Sequence, residues 1–244
     1  LKIYKKDDSN QYLYSAFLEL DEKIIENEDL IDLNEFSDKN INLKVYSKGH
    51  LDYKKNEISA LNKYIFKDSY FVTGTKYEVK KIDAVLYTNI NQKLSGIFSA
   101  KIPDQMINGS ISAFDNKLIL RSDVSVKMNN FVNFGDYLNL SGTETFNAKL
   151  SIDNNASLEL SSNLSNTTFS SYIDELNKRP SDNLKTKILI SDLSQPTYEI
   201  ENNKFSAYIN NNNGYFALGS SFDEDIKKLN FIDGFYIFLE LDDL

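Results

Sequence analysis

The stretch GDYLNLSGTETFNAKLSIDNNASLELSSNL, running from Gly135 to Leu164, sets the architecture of the chain. Phe146, Ala148, Leu150 and Ile152 take alternate positions with Asn147, Lys149 and Ser151 between them, so a strand here has one apolar face and one wet face. Asp153-Asn154-Asn155 then breaks the pattern with residues whose short polar side chains stabilise turns and tolerate positive φ. Leu158, Leu160 and Leu164 resume the alternation, with Ser162 in the remaining place on that face. The unit is an antiparallel hairpin.

The same alternation recurs in both directions. Upstream, Tyr12 to Leu20 reads as a strand covered on both sides at its middle, and Ile25, Leu30, Leu33 and Phe36 offer either a short helix or a looped crossover. Ile41, Leu43 and Val45 return to period two before a turn expected at Lys48-Gly49-His50. Leu61 to Val79 holds one or two strands, Ile82 to Leu86 another, and Leu94 to Ile102 a further one that Pro103 stops. Ile107 to Ala113 leads through a compact Asp115-Asn116 turn into the longest alternation, Leu118 to Met128.

Downstream, Tyr172 to Arg179 is expected to make a helical turn or an irregular loop. Leu184, Ile188 and Ile190 share a face, followed by Tyr198 and Ile200. Phe205, Ala207 and Ile209 approach the run Asn210 to Gly214, a hairpin signal answered by Phe216 and Leu218, and Asp233-Gly234 opens a last strand. About a dozen strands at this spacing make an all-β protein.

Composition narrows the function. With 244 residues the chain can bury a substantial core, and 41% hydrophobic against 26% charged residues is globular composition. Without cysteine there is no disulfide, thiol nucleophile or thiolate metal site, and one histidine makes no His cluster. A net charge of −9 opposes nucleic acid and anionic membrane surfaces as partners. There is no run of eighteen apolar residues, and the opening LKIYKKDDSN lacks the apolar middle of a signal peptide. Both ends lie in strand-like sequence, so residues 1–244 are expected to be one segment of a larger protein, with a sub-boundary near 95–103.

Residues able to carry chemistry are few. His50 has no nucleophile or ligand beside it. The acidic groups Asp7-Asp8, Glu26 to Asp29, Asp223 to Asp225 and Asp242-Asp243 lack the spacing and glycine of a calcium loop. Glu199 and Glu201 point the same way from a strand, which two-carboxylate chemistry can use, yet they also mark the wet face opposite Tyr198 and Ile200. No phosphate loop, GxSxG or HExxH occurs. The Asn-x-Ser/Thr matches are those expected by chance in so Asn-rich a chain. No enzyme, cofactor or metal is therefore expected, and the apolar face itself is the candidate. It is either the sealed core of a sandwich or a trough open to an apolar ligand.

Residues Tyr137 to Asn183 resemble the AsmA-like superfamily of bacterial envelope proteins, particularly its YhdP-type members. The likeness is carried by Leu140-Ser141-Gly142, a short alternating strand, Ser157-Leu158-Glu159-Leu160 with Ser162 and Leu164, and the Lys178 to Pro180 region before the next strand. Thr168 to Leu176, in the place of the family's proline-rich loop, departs from it in lacking proline, and Leu1 to Ser95 share only strand character. The resemblance implies an elongated, curved antiparallel sheet forming an open hydrophobic trough. It also implies a periplasmic segment of a protein anchored elsewhere in the inner membrane of a Gram-negative cell, moving phospholipid to the outer membrane.

On that expectation acyl chains rest on Phe146, Ala148, Leu150, Ile152, Leu158, Leu160, Leu164, Ile188, Ile190, Phe205, Ala207, Ile209, Phe216 and Leu218. The partners are phospholipid acyl chains, the remaining segments of the same protein and proteins of the two membranes, with no nucleic acid. The rivals are a closed β-sandwich for adhesion or scaffolding and an outer-membrane barrel, against which low glycine and the absence of a terminal Phe argue.

Overall fold

The computed structural model describes residues 2–5, 11–21, 23–24, 36–52, 54–55, 57–73, 78–91, 93–130, 138–171, 177–193, 195–210, 213–218 and 234–239. The chain is all-β and folds as two compact units, Leu1–Leu120 and Arg121–Leu244. The expected sub-boundary at 95–103 falls inside the first unit. Among the described residues no helix is long and apolar enough to cross a membrane.

The first unit contains β1 (Lys2–Lys5), β2 (Gln11–Asp21), β3 (Phe36–Asn40), β4 (Asn42–Asp52), β5 (Glu57–Thr73), β6 (Glu78–Thr88), β7 (Leu94–Ile102) and β8 (Gln105–Phe114). They pair antiparallel in the order β1, β2, β4, β5, β6, β7, β8, and β3 continues the line of β4 along the far half of β5. The register aligns two apolar rows on one face: Leu20, Leu43, Phe66, Ala84 and Phe98, then Leu18, Val45, Tyr64, Leu86 and Ile111 across Gly96.

A crease crosses this sheet. The strand line breaks at Ile41, between β3 and β4, while β5 and β6 carry left-handed residues at Asp68 (φ 49°) and Lys81 (φ 50°), where their registers shift. Bulges bend strands and raise their twist, and the buried side chains gather along this line: Ile41, Leu43, Ser69, Ala84 and Ala100. The freed backbone groups find side chains, as the Asn42 N–H donates to Ser69 Oγ (3.1 Å) and the Asp68 N–H to Asp83 Oδ1 (2.9 Å).

β9 (Lys117–Lys127) follows the Asp115-Asn116 turn, both of whose residues are left-handed as a tight hairpin requires, and carries the chain into the second unit. There a 3-10 turn at Met128–Asn130 precedes β10 (Leu138–Ile152), β11 (Ala156–Ser162), β12 (Thr167–Ser171), β13 (Thr186–Ser191), β14 (Thr197–Glu201), β15 (Phe205–Asn210), β16 (Asn213–Leu218) and β17 (Gly234–Leu239). β10, β11, β13, β14, β15 and β16 pair antiparallel in that order, and β12 continues the line of β11 along the first half of β10. Among the described residues no pairing closes either unit into a barrel.

Three local expectations are corrected. Lys48-Gly49-His50 is not a turn but the middle of β4, which turns only at Lys54-Lys55, where Asp52 Oδ1 accepts both amide hydrogens. Phe36 begins a strand rather than closing a helix, and Ile25, Leu30 and Leu33 lie outside the described residues. Thr167–Ser171 is a strand within the stretch read as a loop. The last strand expected after Asp233-Gly234 is β17, which runs parallel to β16. The helical or irregular reading of 172–176 lies outside the described residues, as do the four acidic groups.

Gly49 is needed where it stands because the strands crowd it: a Cβ there would lie 2.0 Å from the Ser59 carbonyl oxygen and 2.8 Å from Tyr14 Cε1. Gly49→Ala is expected to lower stability by about 1–3 kcal/mol, the cost of overpacking. Urea denaturation measures it, and an unchanged midpoint would show that the strands yield at no cost.

Candidate functional site

The period-two pattern becomes a surface through the strand register. On one face of the second unit Ala148, Leu160, Ile188, Ile200, Ala207 and Phe216 form one cross-strand row. Leu150, Leu158, Ile190, Tyr198, Ile209 and Gly214 form the next. Phe146 and Ile152 extend the same face along β10, Phe205 pairs with Leu218 beyond the first row, and the Phe205 and Phe216 rings lie 5.3 Å apart. Twelve of the fourteen residues expected to share a surface have register partners on these strands and Phe146 takes the same phase of β10, while Leu164 follows β11 in the gap before β12. Tyr198 and Ile200, which complete the rows, were already marked by the flanking Glu199 and Glu201.

Exposure varies along that surface. Phe146 (0% exposed), Ala148, Leu160 and Leu164 (2%) join Met128, Leu140, Phe169 and Leu184 in a sealed cluster, with Val124, Val126, Leu158, Ile188 and Phe205 packed against it. The expectation that Phe146, Ala148, Leu160 and Leu164 meet a ligand is corrected by this burial: they are core. Leu150 and Ile190 are half-buried, and Ile152 (36%), Tyr198 (38%) and Ile209 (37%) are open to solvent.

The closed end is organised by a buried carboxylate that the alternation places on the apolar face. Glu144 accepts hydrogen bonds from Ser162 Oγ (2.8 Å), the Asn166 N–H (2.9 Å) and Thr167 Oγ1 (3.2 Å). These are the groups at the break between β11 and β12, where Leu164 turns left-handed (φ 49°) and drops into the cluster. Gly142, with φ 110°, passes so close that a Cβ would lie 2.1 Å from the Asn166 carbonyl oxygen. Nearby, Lys178 Nζ is buried and donates to the carbonyls of Thr167 (2.7 Å) and Arg179 (3.0 Å).

Burial pushes the Lys178 ammonium below its ordinary value of 10.5, against the opposing pull of Asp182 and Glu144. On the other face Glu159 lies 3.8 Å from both Lys149 and Lys187, exposed pairs of small energetic weight, whereas at β15 and β16 that face is buried, at Ser206, Tyr215 and Ala217. His50 is an exposed residue of β4. Among the described residues no group of three His, Asp or Glu is placed to hold a metal ion.

No family model, curated protein or solved structure matches the chain.

Two outcomes follow from the closed end. Glu144→Ala strands buried donors and is expected to cost on the order of 1–3 kcal/mol in urea denaturation; Ser162 or Thr167 substitutions made on top of it should then cost less than they do alone. Because the folded-state pKa of Lys178 is lowered, its penalty is fully present at low pH and is relieved as pH rises through that pKa towards 10.5. Stability relative to Lys178→Met should therefore increase over that range, and a flat difference would show that the ammonium is not penalised.

Proposed function

We propose that this chain is a non-enzymatic segment of a bacterial envelope protein that passes phospholipid across the periplasm, its acyl chains lying on the open part of the second unit's apolar face. The observation that carries the reading is the pair of apolar rows aligned over six strands, half-buried or exposed at Leu150, Ile190, Tyr198 and Ile209. Six strands span about 24 Å, the scale of an extended acyl tail. Each methylene removed from water contributes about 0.8 kcal/mol, so a tail is retained without a specific pocket and is free to move on. The residue pattern of Tyr137 to Asn183 points the same way. The sealed cluster around Phe146 favours the rival reading, a sandwich serving adhesion or scaffolding.

Native mass spectrometry of the purified protein is expected to find co-bound phospholipid. The double variant Leu150→Asp, Ile190→Asp should lose it while keeping β-type circular dichroism and its melting transition. Leu160, enclosed in the cluster, is unsuitable for such a substitution because a carboxylate there would unfold the unit. Wild-type protein free of lipid even after incubation with phospholipid vesicles would overturn the proposal in favour of the sandwich.

A further inference from the structure

A second concavity lies in the first unit, on the face opposite its apolar rows. It sits over the cross-strand row Tyr46, Lys63, Tyr87, Ser95 and Ser112, and has a volume of about 1020 Å³. That is at the upper end of the range for small-molecule sites. Its walls include Tyr46, Leu61, Tyr87 and Phe114, all large apolar or aromatic side chains left exposed. Exposed apolar side chains scattered singly need no explanation, but four converging on one hollow do.

The charge around this hollow has one sign. Lys48, Lys63, Lys93 and Lys117 line it, and among the described residues no Asp or Glu does. In a chain of net charge −9 this is a local reversal. The aromatic walls hold two of the ammonium groups: Lys93 Nζ lies 4.5 Å from the Phe114 ring centroid and Lys63 Nζ 5.7 Å from that of Tyr87. Lysine stems so placed extend the apolar wall while their heads stay at the water boundary.

We infer that this concavity binds a single-tailed amphiphile with an anionic head, its tail against Tyr46, Leu61 and Phe114 and its carboxylate or phosphate among the lysines. An uncharged amphiphile would satisfy the walls and gain nothing from the charge of Lys63 and Lys93. A bare anion would do the reverse and remain fully hydrated. The site is separate from the apolar face of the second unit and does not depend on the function proposed for it.

Isothermal titration below the critical micelle concentration tests this with four probes: laurate, dodecyl phosphate, dodecyl maltoside and inorganic phosphate. Laurate and dodecyl phosphate are expected to bind at least tenfold more tightly than the maltoside, with the gap narrowing in high salt, and inorganic phosphate to show no saturable binding. Lys63→Glu with Lys93→Glu should weaken laurate at least tenfold while leaving the maltoside affinity and the melting temperature unchanged. If that pair unfolds, the milder Lys63→Gln with Lys93→Gln gives the same comparison. The Leu150→Asp, Ile190→Asp variant should bind laurate as the wild type does.

Equal affinity for laurate and the maltoside would overturn the inference. So would inorganic phosphate binding as tightly as laurate, or laurate binding that survives both lysine pairs. Loss of laurate binding in the Leu150→Asp, Ile190→Asp variant alone would move the ligand to the second unit and sink the inference while sparing the lipid-transfer proposal.

Discussion

The second unit depends on a carboxylate that stands where the strand pattern calls for an apolar side chain. β10 is fifteen residues long and faces two collinear strands, β11 and β12, with a gap of four residues between them. An interrupted strand against an uninterrupted one leaves backbone donors and acceptors without ladder partners, and burial makes each orphan expensive. Glu144 reaches that gap and collects the Asn166 N–H and the Ser162 and Thr167 hydroxyls at once. The gap is therefore a stable feature, and Leu164 is held within it against Phe146, Leu160 and Leu184. Without the gap, Leu164 would continue along the ladder. The apolar face would then lack the plug that helps to seal one end of it.

The first unit meets the same problem by a lighter device. β5 is also long, seventeen residues, and also faces two collinear strands, β3 and β4, which break at the buried Ile41. The polar group at that break is Ser69, fully buried, whose hydroxyl accepts the Asn42 N–H. Here a single residue is skipped and one hydroxyl suffices, whereas the four-residue gap of the second unit needs a group with two acceptor oxygens. In each unit a long strand, a break opposite it and a buried polar side chain at the break determine where the core lies.

The sequence makes the strands legible and the breaks illegible, for a physical reason. Alternation in β10, β11, β13, β15 and β16 reports which face each residue takes, and because pairing preserves faces, twelve of the candidate residues align once the registers are known. Period two carries no information about what lies above a face, so Phe146 and Leu150 look alike although one is sealed and the other half open. Covering groups such as Met128, Phe169 and Leu184 come from the 3-10 turn after β9, from β12 and from the approach to β13, and no local pattern links them to β10. Gly49 misleads because glycine marks turns and close approaches alike, and only the nearness of Ser59 and Tyr14 separates the two. Glu144 carried a usable signal: a charged residue in the inward phase of a strong alternation needs a partner that the strand itself does not supply.

The lysines divide between the units by what stands opposite them. Lysine recurs on the wet phase of many strands, and its surroundings follow from the residues one rung away. In the second unit Lys149 faces Glu159, and Lys187 faces Glu201 and lies diagonally 3.8 Å from Glu159, so these lysines meet carboxylates in pairs that are exposed and weak. In the first unit Lys44 faces Glu19 in the same way, but one rung along the row becomes Phe17, Tyr46, Lys63 and Tyr87, with the Phe17 and Tyr46 rings 4.8 Å apart. Replacing the acidic partner by an aromatic one keeps the lysine in place without neutralising it. Two units built by one alternation rule thus surround their lysines with different chemistry, and the difference originates in the register, which decides whether a lysine meets a carboxylate or a ring.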